Sequence, residues 1–175
     1  MGIKVKYTTK RDDFPSMKKR LEVINGTGVE VGVLQGKNAW LASIHEFGCD
    51  IPVTDGTVTG EGNMRGFLQT QGLFLKKTTT HIHIPERSFL RTGYDKNRDK
   101  MLKKAQKLLV EVAAGRMSSS ALYKGVGGEL SSKIKDYARD LDSPANHPFT
   151  IERKGSSNPL KDSGDMIEGI TWRKK

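Results

Sequence analysis

The sequence predicts an α+β fold in which helices pack on a mainly antiparallel sheet. A half-buried strand is indicated at residues 81–84, where histidine and isoleucine alternate. Pro85 ends that strand, because proline donates no backbone N–H to a ladder. The period then changes, and a long helix over about 95–114 is predicted because Met101, Leu108 and Val112 recur at helical spacing.

Strands and helices are also predicted to alternate at the start of the chain. Apolar residues at every second position of 3–7 indicate a first strand. Asp13 followed by Pro15 is typical of a helix start, and Asn25-Gly26 of its end. Alternating valines over 29–33 then predict a strand.

A second helix is predicted to begin at Asn38, which can cap it, and to end at Gly48, where a left-handed residue is favoured. Residues 49–72 show neither period and hold five glycines, so we expect a long glycine-rich loop or an extended hairpin arm. The next strand is predicted over 73–84. The expected buried side of the second helix consists of Trp40, Leu41 and Ile44.

The last third of the chain predicts another helix, capped within 118–120, then a strand at 149–153, a helical turn over 162–169 and a final strand at 170–172. Glycines within 125–128 interrupt the helix, and each costs about 1 kcal/mol relative to alanine. Either the helix is broken there, or a neighbour approaches its backbone closely. Its apolar stripe consists of Leu122, Val126, Leu130, Ile134, Tyr137 and Leu141.

Composition favours a single domain over residues 1–175 with a modest core, because only 35% of residues are apolar and 29% are charged. The net charge of +10 favours polyanionic neighbours such as nucleic acid or an acidic protein surface. Cys49 is the only cysteine, which excludes an internal disulfide. No apolar run approaches the roughly 20 residues of a membrane span, so we expect a protein of a reducing cytoplasm without a membrane partner.

The motifs of common active sites are absent from the sequence, so we expect neither catalysis nor a cofactor. The histidine and cysteine pattern lacks the paired spacing of zinc sites and is better explained by exposed strand residues. The acidic group near the C-terminus is better explained as helix N-terminal charges. The candidate zinc ligands weighed are His45, Cys49, His81 and His83. The acidic candidates are Asp162, Asp165 and Glu168.

A row of lysines follows the long helix, nearly opposite its apolar stripe. The simplest interpretation is a solvated helix face, since lysine is a good helix former. The alternative is a surface turned toward DNA phosphates, which would bind without sequence preference and weaken with salt. The candidate DNA-facing residues are Lys96, Lys100, Lys103 and Lys107.

Three segments of the chain resemble, in this order, segments of a known family. They are AWLASIHEFG at 39–48, IPERSFLR at 84–91 and NPLKDSGDMIEGITW at 158–172, about a fifth of the chain. Together they are similar to the head-to-tail joining proteins of tailed bacteriophages, also called neck, tail-completion or virion-morphogenesis proteins. In that family the first phrase ends a helix before a strand, the second leads into a long helix, and the third precedes a final strand.

The resemblance implies a virion structural protein without catalysis, made in the host cytoplasm and located in the neck. It implies a homo-oligomeric ring, commonly a hexamer, that meets the head connector or adaptor and the tail terminator or tail tube proteins. The lysine helix would then approach DNA passing through the lumen. The alternatives are a basic, non-sequence-specific DNA-binding or packaging protein and, third, a metal-dependent nuclease.

A closed ring requires two different complementary patches on each subunit. The strand-to-helix turn at 85–91 combines arginines with large apolar side chains, which suits a charged and apolar joint. Alternatively, its apolar residues belong to the core and its arginines are solvated. The candidate interface residues are Arg87, Phe89, Leu90 and Arg91.

Overall fold

The computed structural model describes residues 13–55 and 63–175. The strand expected at 3–7 lies outside the described residues. The helices of the described part are α1 (Phe14–Glu22), α2 (Lys37–Phe47), α3 (Met64–Thr70), α4 (Phe89–Ala113), α5 (Ser119–Asp140), α6 (Pro148–Lys154) and α7 (Asp165–Glu168). Its strands are β1 (Val29–Val33), β2 (Cys49–Pro52), β3 (His81–Ile84) and β4 (Ile170–Lys174).

The strands form two small antiparallel sheets. β1 pairs with β4, with Val31 opposite Trp172, and β2 pairs with β3, with Ile51 opposite Ile82. The predicted α+β class with antiparallel sheets and one long helix is therefore confirmed. None of the described helices is both long and apolar enough to cross a bilayer.

The core forms where α4 and α5 pack against each other and against β4. Phe89, Ile134 and Ile170 lie at its centre and are almost completely buried. Gly93 lets the two long helices approach, because a Cβ there would lie 3.3 Å from the side chains of Ile134 and Tyr137. Complete burial of each large apolar side chain stabilises the fold by about 1.5–3 kcal/mol.

The glycines of α5 do not break the helix, which is continuous from Ser119 to Asp140. A Cβ on Gly127 would lie only 2.5–2.8 Å from ring atoms of Trp172 on β4. Close approach by a neighbour is therefore the correct one of the two explanations. The glycine lets an aromatic ring lie directly on the helix backbone and ties α5 to the β1–β4 sheet.

The second helix differs from its prediction in start and in orientation. α2 begins at Lys37, just before the expected cap Asn38, and ends as predicted at Gly48, whose φ is +69°. Its buried side consists of Ala42 and Glu46, whereas Trp40 is exposed. The expected burial of Trp40 and Leu41 is therefore wrong, because the helix packs through a small residue and a carboxylate.

Four other predicted elements also differ. The stretch 49–72, expected as a loop or arm, contains β2 and α3. Residues 73–80 are not strand, so only 81–84 of the expected 73–84 strand pairs with a neighbour. The segment expected as a strand at 149–153 is helix α6, and the long helix begins at Phe89, well before residue 95.

Candidate functional site

The carboxylate of Glu46 caps the N-terminus of α4 from a different helix. The backbone N–H groups of Leu90 and Arg91 donate to it at 2.8 and 3.0 Å, and the Ser88 hydroxyl donates at 3.1 Å. Glu46 is only 2% exposed. A helix N-terminus carries unpaired N–H groups and a positive dipole end, so a buried carboxylate is stabilised there. This cap explains why α4 begins at Phe89.

Arg91 completes the neutralisation of this carboxylate. Its Nε donates to Glu46 at 2.9 Å, and its Nη2 donates to the Glu46 carbonyl at 2.9 Å and to Glu86 at 2.7 Å. The hydrogen bond that Arg91 donates to the Glu46 carboxylate is the main reason that the pKa of Arg91 is raised. The guanidinium also lies 4.7 Å from the ring centre of Phe47, so it joins the end of α2 to the start of α4.

Arg87 is a buried cation surrounded by neutral acceptors. Its side chain donates to the carbonyls of Pro144 and Ala145 at 2.9 and 3.2 Å and to Oδ1 of Asn146 at 3.1 Å. It is 4% exposed, and no carboxylate of the described residues pairs with it. Burial therefore lowers the pKa of Arg87.

His45 stands against Arg87 as a neutral base. Nδ1 of His45 lies 3.4 Å from Nη1 of Arg87, and the Arg87 backbone N–H donates to the His45 carbonyl at 2.7 Å. Burial, and then the positive charges of Arg87 and Lys154, lower the pKa of His45 to about 4. Because arginine can only donate, the unprotonated Nδ1 is the acceptor.

Asn158 ties the third sequence segment to the same network. Its side-chain amide donates to the carbonyls of Arg139 and Leu141, at 2.7 and 3.1 Å, which closes the C-terminal end of α5. Its Oδ1 accepts from the backbone N–H groups of Leu160 and Lys161. The Asn158 carbonyl accepts from Asn146, the residue that also receives Arg87.

The segments at 39–48, 84–91 and 158–172 therefore meet in one polar network. Gly48 marks the closest crossing of the first two, because a Cβ there would lie 2.8 Å from Glu86 N and from Ile84 O. Its positive φ also excludes most other residues. Chemically, this network positions elements, because its donors and acceptors mainly satisfy each other within the chain.

The four predicted interface residues differ in their exposure to solvent. Phe89 is 0% exposed, and Leu90 packs against the same core. Arg87 is buried and bonded to the loop at 144–146, so it is neither part of an exposed joint nor a solvated arginine, as the two interpretations expected. Arg91 is about half exposed and alone presents a charge to the exterior.

The predicted lysine row lies on the exposed side of α4, and one of its four members has a partner within the fold. Lys100, Lys103 and Lys107 are exposed and make no ion pair within the described residues. Lys96 instead lies 4.4 Å from the ring centre of Tyr137 on α5, where a cation–π contact holds it. Three lysines therefore remain available to a polyanion.

The candidates for metal or acid–base chemistry are engaged in ordinary pairs or dispersed. Nδ1 of His83 lies 2.8 Å from Asp50, and no group of three potential metal ligands occurs within residues 13–55 and 63–175. Glu168 accepts from Arg139 at 2.5 Å and from Lys135 at 3.2 Å. The hydrogen bond from Arg139, then that from Lys135, lowers the pKa of Glu168, which therefore fastens α7 to α5.

Sequence reasoning did not assign a role to Glu46, Asn146 or Asn158. Glu46 had one local signal, a charged residue followed directly by Phe47 and Gly48 at a helix end. Asn158 had another, since asparagine before proline favours a turn in which its side chain bonds the backbone. Neither signal identifies the distant partner.

Comparisons with family models, with curated proteins and with solved structures found no match to this chain.

Proposed function

We propose that this chain is a structural protein of a tailed-phage virion that forms a ring in the neck, joining the head connector to the tail. One observation carries the proposal: three segments resemble the head-to-tail joining proteins in their order, and the same three meet in one network. Segments that cooperate in one local structure are less easily matched by chance than segments that are scattered over a fold.

The surface supports a ring, because a heterologous contact needs two different patches. The first patch, the α2 patch, consists of Trp40, Phe47 and Arg91. Trp40 and Phe47 are 69% and 64% exposed and lie seven residues apart, so they share one helix face. Large exposed aromatic residues beside an arginine are typical of protein interfaces.

The second patch, the α1 groove, lies between α1 and α4. It is lined by Met17, Leu21 and Leu109 among others and encloses about 600 Å³. Two apolar patches on different elements are what a subunit of a closed ring needs. In this proposal the α2 patch of one subunit meets the α1 groove of the neighbouring subunit. Of the four predicted interface residues, only Arg91 contributes a charge to this contact.

The proposed partners are copies of this chain, together with the head connector and the tail proteins below it. A hexamer is the proposed copy number, and the virion neck is the proposed location. The function needs no catalytic step, which agrees with a network whose groups mainly satisfy each other.

The test replaces Trp40 by glutamate and follows incorporation into particles. We expect Trp40→Glu to leave the thermal melting of the subunit unchanged, since the side chain is exposed, and to prevent ring formation and infectious particles. The matched control is Phe74→Glu, an equally exposed aromatic residue outside both patches. Electron microscopy of intact particles gives the position and copy number of the chain, and its absence from mature virions would overturn the proposal.

The second candidate is a basic DNA-binding or packaging protein that acts off the particle. The net charge of +10 and the exposed Lys100, Lys103 and Lys107 favour it. It requires isolated subunits to bind duplex DNA tightly and with steep salt dependence. Fluorescence anisotropy on a labelled duplex at low and physiological salt separates it from a ring protein, whose assembly tolerates salt.

A further inference from the structure

A second cavity of about 590 Å³ lies beside β3, between that strand and the segment that leads into α6. Its walls are mostly apolar, with Leu73, Leu75, Ile82 and Phe149 among the lining side chains, and histidines, among them His81 and His147, also line it. Arg87 also lines it. The cavity therefore combines mostly apolar walls with one buried cation.

The charge of Arg87 is not neutralised within the described residues. Its acceptors are carbonyl oxygens, an amide oxygen and the neutral His45, and no aspartate or glutamate lines the cavity. A guanidinium that is 4% exposed has lost most of its hydration. A buried cation is expensive unless it is paired, so an anion entering the cavity would gain a charge-assisted hydrogen bond.

The cavity follows the edge of β3 and not one of its faces. Both the histidines of its exposed face and the isoleucines of the other face line the cavity. β3 pairs with β2 along one edge, and no other strand of the described residues pairs with it. An open strand edge presents N–H and C=O groups that pair readily with an extended segment.

We propose that this cavity binds an extended, acidic peptide segment of a partner protein, which adds a strand to β3 and places a carboxylate on Arg87. Main-chain hydrogen bonds along β3 would hold the segment, and its alternate apolar side chains would cover Leu73, Leu75 and Phe149. The apolar walls favour a peptide over a small hydrated anion. The inference goes beyond the neck ring and stands whether or not the chain forms one.

The experiment titrates the full chain with the probe acetyl-Thr-Val-Glu-Val-Thr-amide and follows backbone amides by NMR at neutral pH. We expect the probe to shift the amides of Ile82 and Ile84. The same peptide with glutamine in place of glutamate should bind roughly ten-fold or more weakly, because it loses the charged hydrogen bond. A version N-methylated at both valines and at the glutamate should not bind, because each edge of the extended peptide then carries a methyl group in place of an N–H.

Two protein variants extend the test. Arg87→Gln should remove the preference for the glutamate peptide, whereas Arg173→Gln makes the same charge change on β4, outside the cavity, and should keep it. If Arg87→Gln unfolds, the peptide comparison on the unaltered chain still decides. Equal binding of the glutamate and glutamine peptides, binding of the N-methylated peptide, or no shift at residues 81–84 would overturn the proposal. Shifts caused by inorganic phosphate but not by the peptide would overturn it in favour of a small anion.

Discussion

Glu46 illustrates how much of this fold rests on a single side chain. Its carboxylate accepts four hydrogen bonds, from the Ser88 hydroxyl, from two backbone N–H groups of α4 and from the Arg91 guanidinium. We predict that Glu46→Ala lowers the free energy of unfolding by about 2–3 kcal/mol, because it leaves buried donors unpaired and removes a helix cap. Urea unfolding followed by circular dichroism measures the change.

The matched control for this prediction is Glu86→Ala. Glu86 bonds the same arginine, but its side chain is 54% exposed. Exposed ion pairs contribute little, so the change should stay within about 0.5 kcal/mol. A loss for Glu46→Ala no larger than that of the control would show that the cap is not a major source of stability.

His45 makes the stability of the fold depend on pH. Its pKa is lowered to about 4 in the folded state by burial and by Arg87 and Lys154, against an ordinary value of 6.5. Between these two values the unfolded chain binds more protons than the folded chain, so stability falls as pH drops from 6.5 toward 4. Because the imidazole of His45 is partly open to solvent, we expect the free energy of unfolding to fall by about 1–2 kcal/mol across this window.

His45→Gln tests this prediction, because glutamine can accept from Arg87 but does not titrate. Urea unfolding at a series of pH values should show a flatter profile between pH 4 and 6.5 for this variant. The control His81→Gln changes an exposed histidine on β3 and should leave the profile as it is. Identical profiles for His45→Gln and the parent chain would contradict the assignment.

At the scale of elements, two adjacent glycines of α5 distinguish the effect of packing from that of helix propensity. Gly127 lies under the ring of Trp172, whereas a Cβ on Gly128 would be 3.9 Å from the nearest atom of that ring. We predict that Gly127→Ala destabilises the fold by about 1–3 kcal/mol through overpacking. Gly128→Ala should be neutral or stabilise it by up to about 1 kcal/mol, since alanine is the better helix former. Thermal melting measures the change in stability of each variant. An equal effect would rule out the contact between Gly127 and the Trp172 side chain as its cause.

The elements with long periodic patterns were predictable from the sequence, and short ones were not. The stripe of α5 and the alternating residues of β1 and β4 repeat often enough to define their period. α6 has only seven residues, and Thr150 and Ile151 gave it the appearance of a strand. Its stronger signals were Pro148 in the first turn and Gly155 after the last, which is typical of helix ends.

The candidate site was less predictable, because its contacts join residues that are distant in the sequence. The start of α4 was placed late because its cap, Glu46, precedes it by more than forty residues. Hydropathy likewise placed Trp40 inside, whereas in the fold Trp40 is exposed and the charged Glu46 on the same helix is buried. A pattern of polar and apolar residues cannot reveal that a carboxylate is buried against a helix N-terminus.

At the scale of the whole molecule, the excess positive charge is distributed unevenly. Most arginines of the described part are engaged within the fold. Arg20, for example, donates to the Ala113 carbonyl, and Arg139 pairs with Glu168. Lys100, Lys103 and Lys107 by contrast project from one face of α4 without an ion pair among the described residues. This face is therefore the strongest candidate for contact with DNA.

The last prediction tests that face. The triple variant Lys100→Glu, Lys103→Glu and Lys107→Glu should keep the melting temperature of the parent, because these side chains are exposed, and should impair retention or passage of the genome in particles. Lys96 is left unchanged, since its contact with Tyr137 contributes to packing and its loss would confuse folding with function.

A matched triple variant makes the same change in net charge at exposed lysines of other elements, namely Lys124→Glu, Lys133→Glu and Lys161→Glu. Long-range repulsion of DNA acts on both variants alike, whereas direct phosphate contact acts only on the α4 variant. We therefore expect infectious yield to fall much further for the α4 variant than for its control. Equal yields would mean that net charge alone matters, and a yield equal to that of the parent would mean that the lysine face does not meet DNA.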